Sequence, residues 1–122
     1  MRLLVCGSRR GIPKQAVWDA IAELIPGTKL GPAPTIIHGA AAGVDSAAHE
    51  YAARLGIAVI PCPADWKKHG KAAGPIRNKR MLDECQPTHV LAIMRKGCPT
   101  PGTQNMIRQA RTVGVPVTVV SV

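Results

Sequence analysis

Thr35-Ile36-Ile37-His38-Gly39-Ala40-Ala41-Ala42-Gly43-Val44-Asp45, carried through a helical stretch to Gly56-Ile57-Ala58-Val59-Ile60, decides the fold of this chain. A short apolar run leads into a glycine-rich turn. Val44, Ala47, Ala48, Tyr51, Ala52 and Leu55 then recur at a helical period, Gly56 ends the helix, and a second apolar run follows. The order is strand, turn, helix, strand. Such a unit leaves free backbone N–H groups at a helix N-terminus beside the end of a buried strand, and such groups bind phosphate.

The same grammar extends in both directions. Five apolar runs, Leu3–Cys6, Thr35–Ile37, Ile57–Ile60, His89–Met94 and Val115–Val120, are continuous rather than alternating. That is the pattern of parallel strands covered on both faces. The first helix is expected to start at Pro13, to carry Val17, Ile21, Leu24 and Ile25 as its apolar stripe, and to stop at Pro26-Gly27. A third is expected from Gly74-Pro75, with Ile76, Met81, Leu82 and Cys85 facing inward. A fourth follows Pro101-Gly102-Thr103, buries Met106, Ile107 and Ala110, and ends at Gly114. Right-handed crossovers between these elements give an α/β fold, a three-layer Rossmann-like doubly wound sheet of about five parallel strands. Gly27–Pro34 reads as a turn-rich connector inside one domain spanning residues 1–122.

Composition narrows the function classes. Hydrophobic residues make up 46% of the 122, enough for a core, but aromatics are 2% and Phe is absent, so the core is built from Val, Ile, Leu and Ala. No apolar run approaches the roughly 20 residues of a membrane span. Met1-Arg2 leads straight into an apolar strand without signal-peptide anatomy, and a soluble cytoplasmic protein is expected. Cys6, Cys62, Cys85 and Cys98 have no CxxC spacing, so neither a metal site nor a disulfide framework is expected. The formal charge of +9 favours nucleotides, nucleic acid or acidic partners. The basic residues are spread out, and there is no aromatic stacking platform, zinc knuckle or arginine-rich tail, so nucleic-acid binding stands behind a small-molecule ligand.

In an open α/β sheet, ligands sit beyond the carboxyl ends of the strands. After the first strand comes Gly7-Ser8-Arg9-Arg10-Gly11. Its glycine lets the backbone approach a ligand and its arginine can grip phosphate, unless this is a tight turn with solvated arginines. After the second, Gly39 and Gly43 flank three alanines, and Asp45 either accepts a ribose hydroxyl or caps the helix. His38 either acts on a ligand or is a buried, hydrogen-bonded histidine. The spacing is neither GxGxxG nor a Walker loop. After the third, Asp65 is placed as a helix cap, and Trp66 is a base-stacking ring, a core residue or a lid. In Gly74-Pro75-Ile76-Arg77-Asn78, Pro75 pins a helix start and puts Arg77 and Asn78 in its first turn. A cation there opposes the helix dipole, which implies a partner such as phosphate or Asp45. After the fourth, Gly102-Thr103 offers N–H groups and a hydroxyl to phosphate, or a threonine cap to the helix.

Taken together, Cys6-Gly7-Ser8-Arg9, His38–Asp45, Ala64-Asp65-Trp66, Gly74–Asn78 and Gly102-Thr103 resemble the SLOG superfamily, and within it the small YspA-like (YpsA-related) branch. The resemblance runs from Met1 to about Val120. It implies a Rossmann-like domain that binds nucleotides or nucleotide-derived ligands. Superfamily relatives include the Lonely Guy phosphoribohydrolases and DprA-type DNA-binding proteins. Lonely Guy enzymes carry a PGGxGTxxE motif whose glutamate assists glycosidic cleavage; here that position is Met106, and Thr100-Pro101 precede Gly102. The phosphate cradle can survive without that chemistry, and no catalytic residue is assigned.

The expected ligand is a nucleoside phosphate or an ADP-ribose-like molecule at the C-terminal edge of the sheet. Its expected contacts are Gly7, Ser8, Arg9, Gly39, Gly43, Asp45, Arg77, Asn78, Gly102 and Thr103. Arg9 and Arg77 neutralise charge, Asp45 orients the ribose, and no cofactor or metal is called for. A nucleotide N-glycosidase using Asp45 or Glu50 is the alternative, and nucleic-acid binding a further one. Superfamily relatives often dimerise, and the outer faces of the first and last helices could pair in a homo-oligomer.

Overall fold

The structure, a computed structural model, describes residues 1–25 and 32–122. Its elements run β1 (Arg2–Gly7), α1 (Lys14–Leu24), β2 (Thr35–His38), α2 (Val44–Leu55), β3 (Ala58–Pro61) and a one-turn α3 (Trp66–His69). A 3-10 turn (Gly70–Ala72) then leads into α4 (Ala73–Cys85), β4 (His89–Met94), α5 (Pro101–Thr112) and β5 (Val117–Ser121). The strands form one parallel sheet in the order β3-β2-β1-β4-β5. This is the expected doubly wound α/β architecture.

The layers follow from the two-residue period of a strand. On central β1, Leu3 and Val5 point into a core shared with Val17 and Ile21 of α1 and Val44 and Ala48 of α2. Leu4 points the other way, against Met81 and Leu82 of α4 and Met106 and Ala110 of α5. Neighbouring β4 carries Val90, Leu91, Ala92 and Ile93, all fully buried, which is why its sequence shows no alternation.

Several helix boundaries move relative to expectation. Pro13 is the extended residue before α1 rather than its first helical residue. The expected stop at Pro26-Gly27, and residues 27–31 of the Gly27–Pro34 connector, lie outside the described residues. The third expected helix begins at Ala73, entered through the 3-10 turn, so Pro75 is the third helical residue. Proline is tolerated in a first turn because its missing N–H would have no intrahelical partner there. Arg77 and Asn78 therefore lie in the second turn, and Arg77 does not oppose the first-turn amides of the helix as expected. The last helix includes Pro101-Gly102-Thr103 rather than following them. Val115 closes that helix, its N–H reaching Ala110 O, and β5 starts only after Pro116.

One consequence positions the site. The chain leaves β1 toward one edge of the sheet and β4 toward the other, so the strand order reverses between these two neighbours. Their carboxyl ends splay the following loops apart, and a crevice opens at that switch point.

Candidate functional site

A cleft of about 750 Å3 occupies this crevice. Cys6, Gly7 and Ser8 form its floor at the end of β1, while the starts of α4 and α5 form its walls. Six cations border it: Arg9, Arg10, Lys71, Arg77, Arg95 and Arg108. Asp45 is the one carboxylate among the described residues of its wall. Residues scattered along the chain are thus gathered at one mouth, which a linear reading of the +9 charge does not reveal.

The glycines divide into two kinds. A Cβ at Gly7 would run into the Ile93 carbonyl and lie 2.8 Å from Val44 Cγ2. At Gly39 it would meet the Arg77 guanidinium at 2.5 Å. Gly43, at φ 78°, precedes α2 and sits on the β1–α1 turn, where a Cβ would lie 2.5 Å from Ser8 O and 2.6 Å from Arg9 C. The chain's own atoms fill these three places. Gly102 differs, since nothing lies within 4 Å of its Cβ position. Gly102 and Thr103 also precede the first intrahelical bond of α5, from Gln104 N to Thr100 O, so their amides face the cleft mouth without a helical partner.

Asp45 and Arg77 hold the glycine turn between them. Asp45 Oδ2 accepts from Gly39 N at 3.0 Å and Ala41 N at 3.2 Å. Arg77 Nη1 donates to the Gly39 carbonyl and, at 3.4 Å, to the Cys62 carbonyl. Asp45 therefore braces the turn instead of capping α2, whose N-cap is Gly43. Arg77 points toward Gly39–Asp45 and ties the ends of β2 and β3 to α4. Burial pushes the Asp45 carboxyl up to about 6, against the opposing pull of the Ala41 amide, Arg77, the Gly39 amide and Arg9. Burial likewise lowers the Arg77 pKa, partly offset by Asp45.

Asn78 is buried and engaged within the protein. Its Oδ1 accepts from Arg77 Nε at 3.1 Å, and its Nδ2 donates to Gly102 O at 3.2 Å and Asn105 Oδ1 at 3.1 Å. Gln109 Nε2 extends the network, donating to Asn105 Oδ1 at 2.7 Å and Pro75 O at 3.1 Å. Asn78 thus fixes the α5 N-terminus to α4, one step behind the cleft. Ser8 is also buried; its Oγ accepts from Arg95 N at 3.1 Å and its carbonyl from Val44 N at 3.1 Å. Thr103 is the third residue of α5, and its hydroxyl accepts from Thr100 Oγ1 at 2.7 Å.

Other residues leave the chemistry. His38 is buried; its Nδ1 accepts from Ala40 N at 3.0 Å, which leaves Nε2 to donate to His49 Nδ1 at 2.9 Å. Burial, His49 and Arg77 lower its pKa to about 4, so it is neutral at pH 7. Glu50 lies on the outer face of α2, paired with Lys14 at 3.2 Å and Arg54 at 3.1 Å, and does not border the cleft. Met106 is fully buried in the α4–α5 core, so a glutamate there would point away from the cleft. Asp65 caps α3 as expected, accepting from Lys68 N at 3.1 Å. Asn105, Gln109, Arg95 and Arg108 were not singled out by the motifs. Arg95 follows β4 directly, which marks it by position; the Asn105–Gln109 spacing is one helical turn and signals nothing until α4 is seen beside it.

The fold and the cleft define a class: a doubly wound α/β domain with a cation-lined crevice at its switch point. Within that class the chain belongs to the YspA, cpYpsA-related SLOG family, whose model matches residues 1–69. It is also 32% identical over 121 residues to the Gene 61 protein of Mycobacterium phage D29, covering 95% of this chain and 93% of the phage protein. No solved structure matches the chain. Among the described residues, no helix is long and apolar enough to cross a membrane, and no group of three or more His, Cys, Asp or Glu could hold a metal ion.

Proposed function

We propose that the cleft binds a nucleotide or nucleotide-derived ligand through its phosphates. The observation that carries this reading is the six-to-one excess of cations over carboxylates around the open α5 N-terminus. Amides at a helix start and nearby arginines both hold phosphate well, and here they share one cavity. The SLOG family is linked to nucleotide-derived ligands, which supports the same reading. In it, Gly102 and Thr103 supply amides, and Arg9, Arg95 and Arg108 supply charge. The second oxygen of Asp45 accepts nothing among the described residues and serves a ribose hydroxyl. Gly7, Ser8, Gly39, Gly43, Arg77 and Asn78 belong to the site as its frame.

Calorimetry and thermal shift against nucleoside mono-, di- and triphosphates, NAD and ADP-ribose test the proposal. A ligand at a hundredfold over its Kd should stabilise the fold by about 2.7 kcal/mol. Absence of binding across that panel at low salt would sink it.

One observation favours a second reading, a nucleotide N-glycosidase. Asp45 is the cleft's one described carboxylate, and with its pKa at about 6 it is still mostly ionised at pH 7, as a group facing a developing oxocarbenium ion must be. Release of free base, lost in Asp45→Ala, is the expected result; release that persists in that variant refutes the assignment.

A further inference from the structure

The chain is sparing with aromatic side chains: two Trp, one Tyr and no Phe. Trp18 and Tyr51 pack together on the α1–α2 face, with ring centroids 6.2 Å apart, and Trp18 Nε1 donates to Ala47 O at 3.0 Å. Trp66 has no such use. It is 51% exposed, although it is the largest side chain on the site's rim. An exposed ring on the rim of a cleft is free to bury its apolar face against a ligand.

Its position is held from both sides. Trp66 opens α3, which Asp65 caps, and its Cη2 lies 3.6 Å from the Cβ position of Gly74, at the start of α4. The Arg9 guanidinium lies over the ring, its Cζ 5.7 Å from the centroid. One face of the indole is thus already covered by a planar cation, which is the arrangement a planar base would replace.

The ring also lies where two cavities meet. A smaller cleft of about 340 Å3 shares Arg9, Ala41, Trp66 and Arg77 with the larger one. Its remaining walls are Gly39, Ala40, Ala42, Pro63 and Ala64, small residues that present backbone and methyl groups. The cations of the larger cleft suit phosphate. The smaller cleft is lined by no charged side chain beyond the shared arginines, and suits a ring.

We infer that Trp66 is the stacking platform for the base of the ligand, so that one molecule spans both clefts with its base on Trp66 and its phosphates at the α5 N-terminus. The inference rests on the phosphate-binding reading above and adds a specificity: the ligand carries an aromatic base, not phosphate alone. Arg9, displaced from the ring, swings to the phosphates. Stacking tolerates any base, so Trp66 distinguishes nucleotides from sugar phosphates rather than one base from another.

Trp66→Ala, Trp66→Leu and Trp66→Phe would be compared with wild type by calorimetry against AMP, ADP, ADP-ribose, pyrophosphate and ribose 5-phosphate at low salt. In wild type, at least one base-bearing ligand is expected to bind ten times more tightly than pyrophosphate and to quench tryptophan fluorescence. Removing the ring should lower the ratio of nucleotide to pyrophosphate affinity about tenfold, while Trp66→Phe keeps most of it. Trp66→Leu, which retains apolar bulk, covers the case in which Trp66→Ala does not fold. If pyrophosphate and nucleotides bind wild type equally, or if the ratio is unchanged in both Ala and Leu variants, the stacking role is overturned and the phosphate site stands. If nothing binds, pyrophosphate included, both readings fall.

Discussion

Replacing Gly43 by Ala separates two meanings of a glycine-rich turn. If the turn is bare so that a ligand can approach, the added methyl should damage binding and spare stability. The structure gives the opposite expectation. Gly43 has φ 78° and ψ −120°, a region that L-residues occupy at a cost of roughly 1–3 kcal/mol. The new Cβ would also stand 2.5 Å from Ser8 O and 2.6 Å from Arg9 C and Arg9 O. These are backbone atoms, so relief requires α2 to move off the β1–α1 turn, a shift costing roughly 1–3 kcal/mol. The sum, roughly 2–6 kcal/mol, is a large share of the roughly 5–15 kcal/mol that holds a domain together. Urea denaturation followed by circular dichroism should show this loss, with Tm lower by roughly 8 °C or more. Gly102→Ala is the matched control. Its Cβ meets nothing within 4 Å, and alanine favours a helix over glycine by up to about 1 kcal/mol, so stability should hold or rise. A helical Cβ points toward the N-terminus, into the space that the proposed phosphate would take. Losing one charge-assisted hydrogen bond there weakens binding roughly tenfold or more. A Gly43→Ala protein within about 0.5 kcal/mol of wild type would refute the packing argument.

Three further outcomes follow from the same geometry. The Asp45 carboxyl sits near 6 in the folded protein against 3.8 for a free aspartate, so its contribution to stability is fully present below 3.8 and is lost as pH rises through 6. Asp45→Asn lacks that loss and should gain about 2 kcal/mol on wild type between pH 4 and pH 7; a constant difference in urea titrations across that range contradicts the assignment. His38 acts in the opposite sense, its stability contribution present above 6.5 and lost as pH falls toward 4, and it should appear unchanged in both proteins. Asn78→Ala leaves Arg77 Nε without its Asn78 Oδ1 acceptor and unties Gly102 O and Asn105 Oδ1 from α4, and should cost about 1–3 kcal/mol in thermal or chemical unfolding. Arg108→Glu should weaken nucleotide binding and flatten its salt dependence, whereas Glu50→Ala, on the far face of α2, should leave affinity unchanged.

The sequence alone determined the architecture, because the physics that selects it is local. Continuous runs such as His89–Met94 read as strands covered on both faces, and the 44–55 stripe reads as a helix lying on them, although its last member, Leu55, is exposed. It also placed the points of interest after strands, since topology sends ligands to that edge of a parallel sheet. Helix starts were less legible: the entry to α4 through a 3-10 turn depends on how Trp66–Ala72 crosses the sheet end, which no local propensity encodes. What only the tertiary structure decided is the division of labour among the residues named. Gly39, Gly43 and Gly102 look alike in sequence, yet two are filled by Arg77 and by the Ser8–Arg9 backbone, and one is open. Arg77 and Asn78 read as ligand contacts, yet they join carbonyls and amides from β2, β3 and α5, elements 15 to 38 residues away. Whether a polar group faces a ligand or its own chain depends on what packs opposite it. Those neighbours come from distant segments, so the answer exists only once the chain has folded.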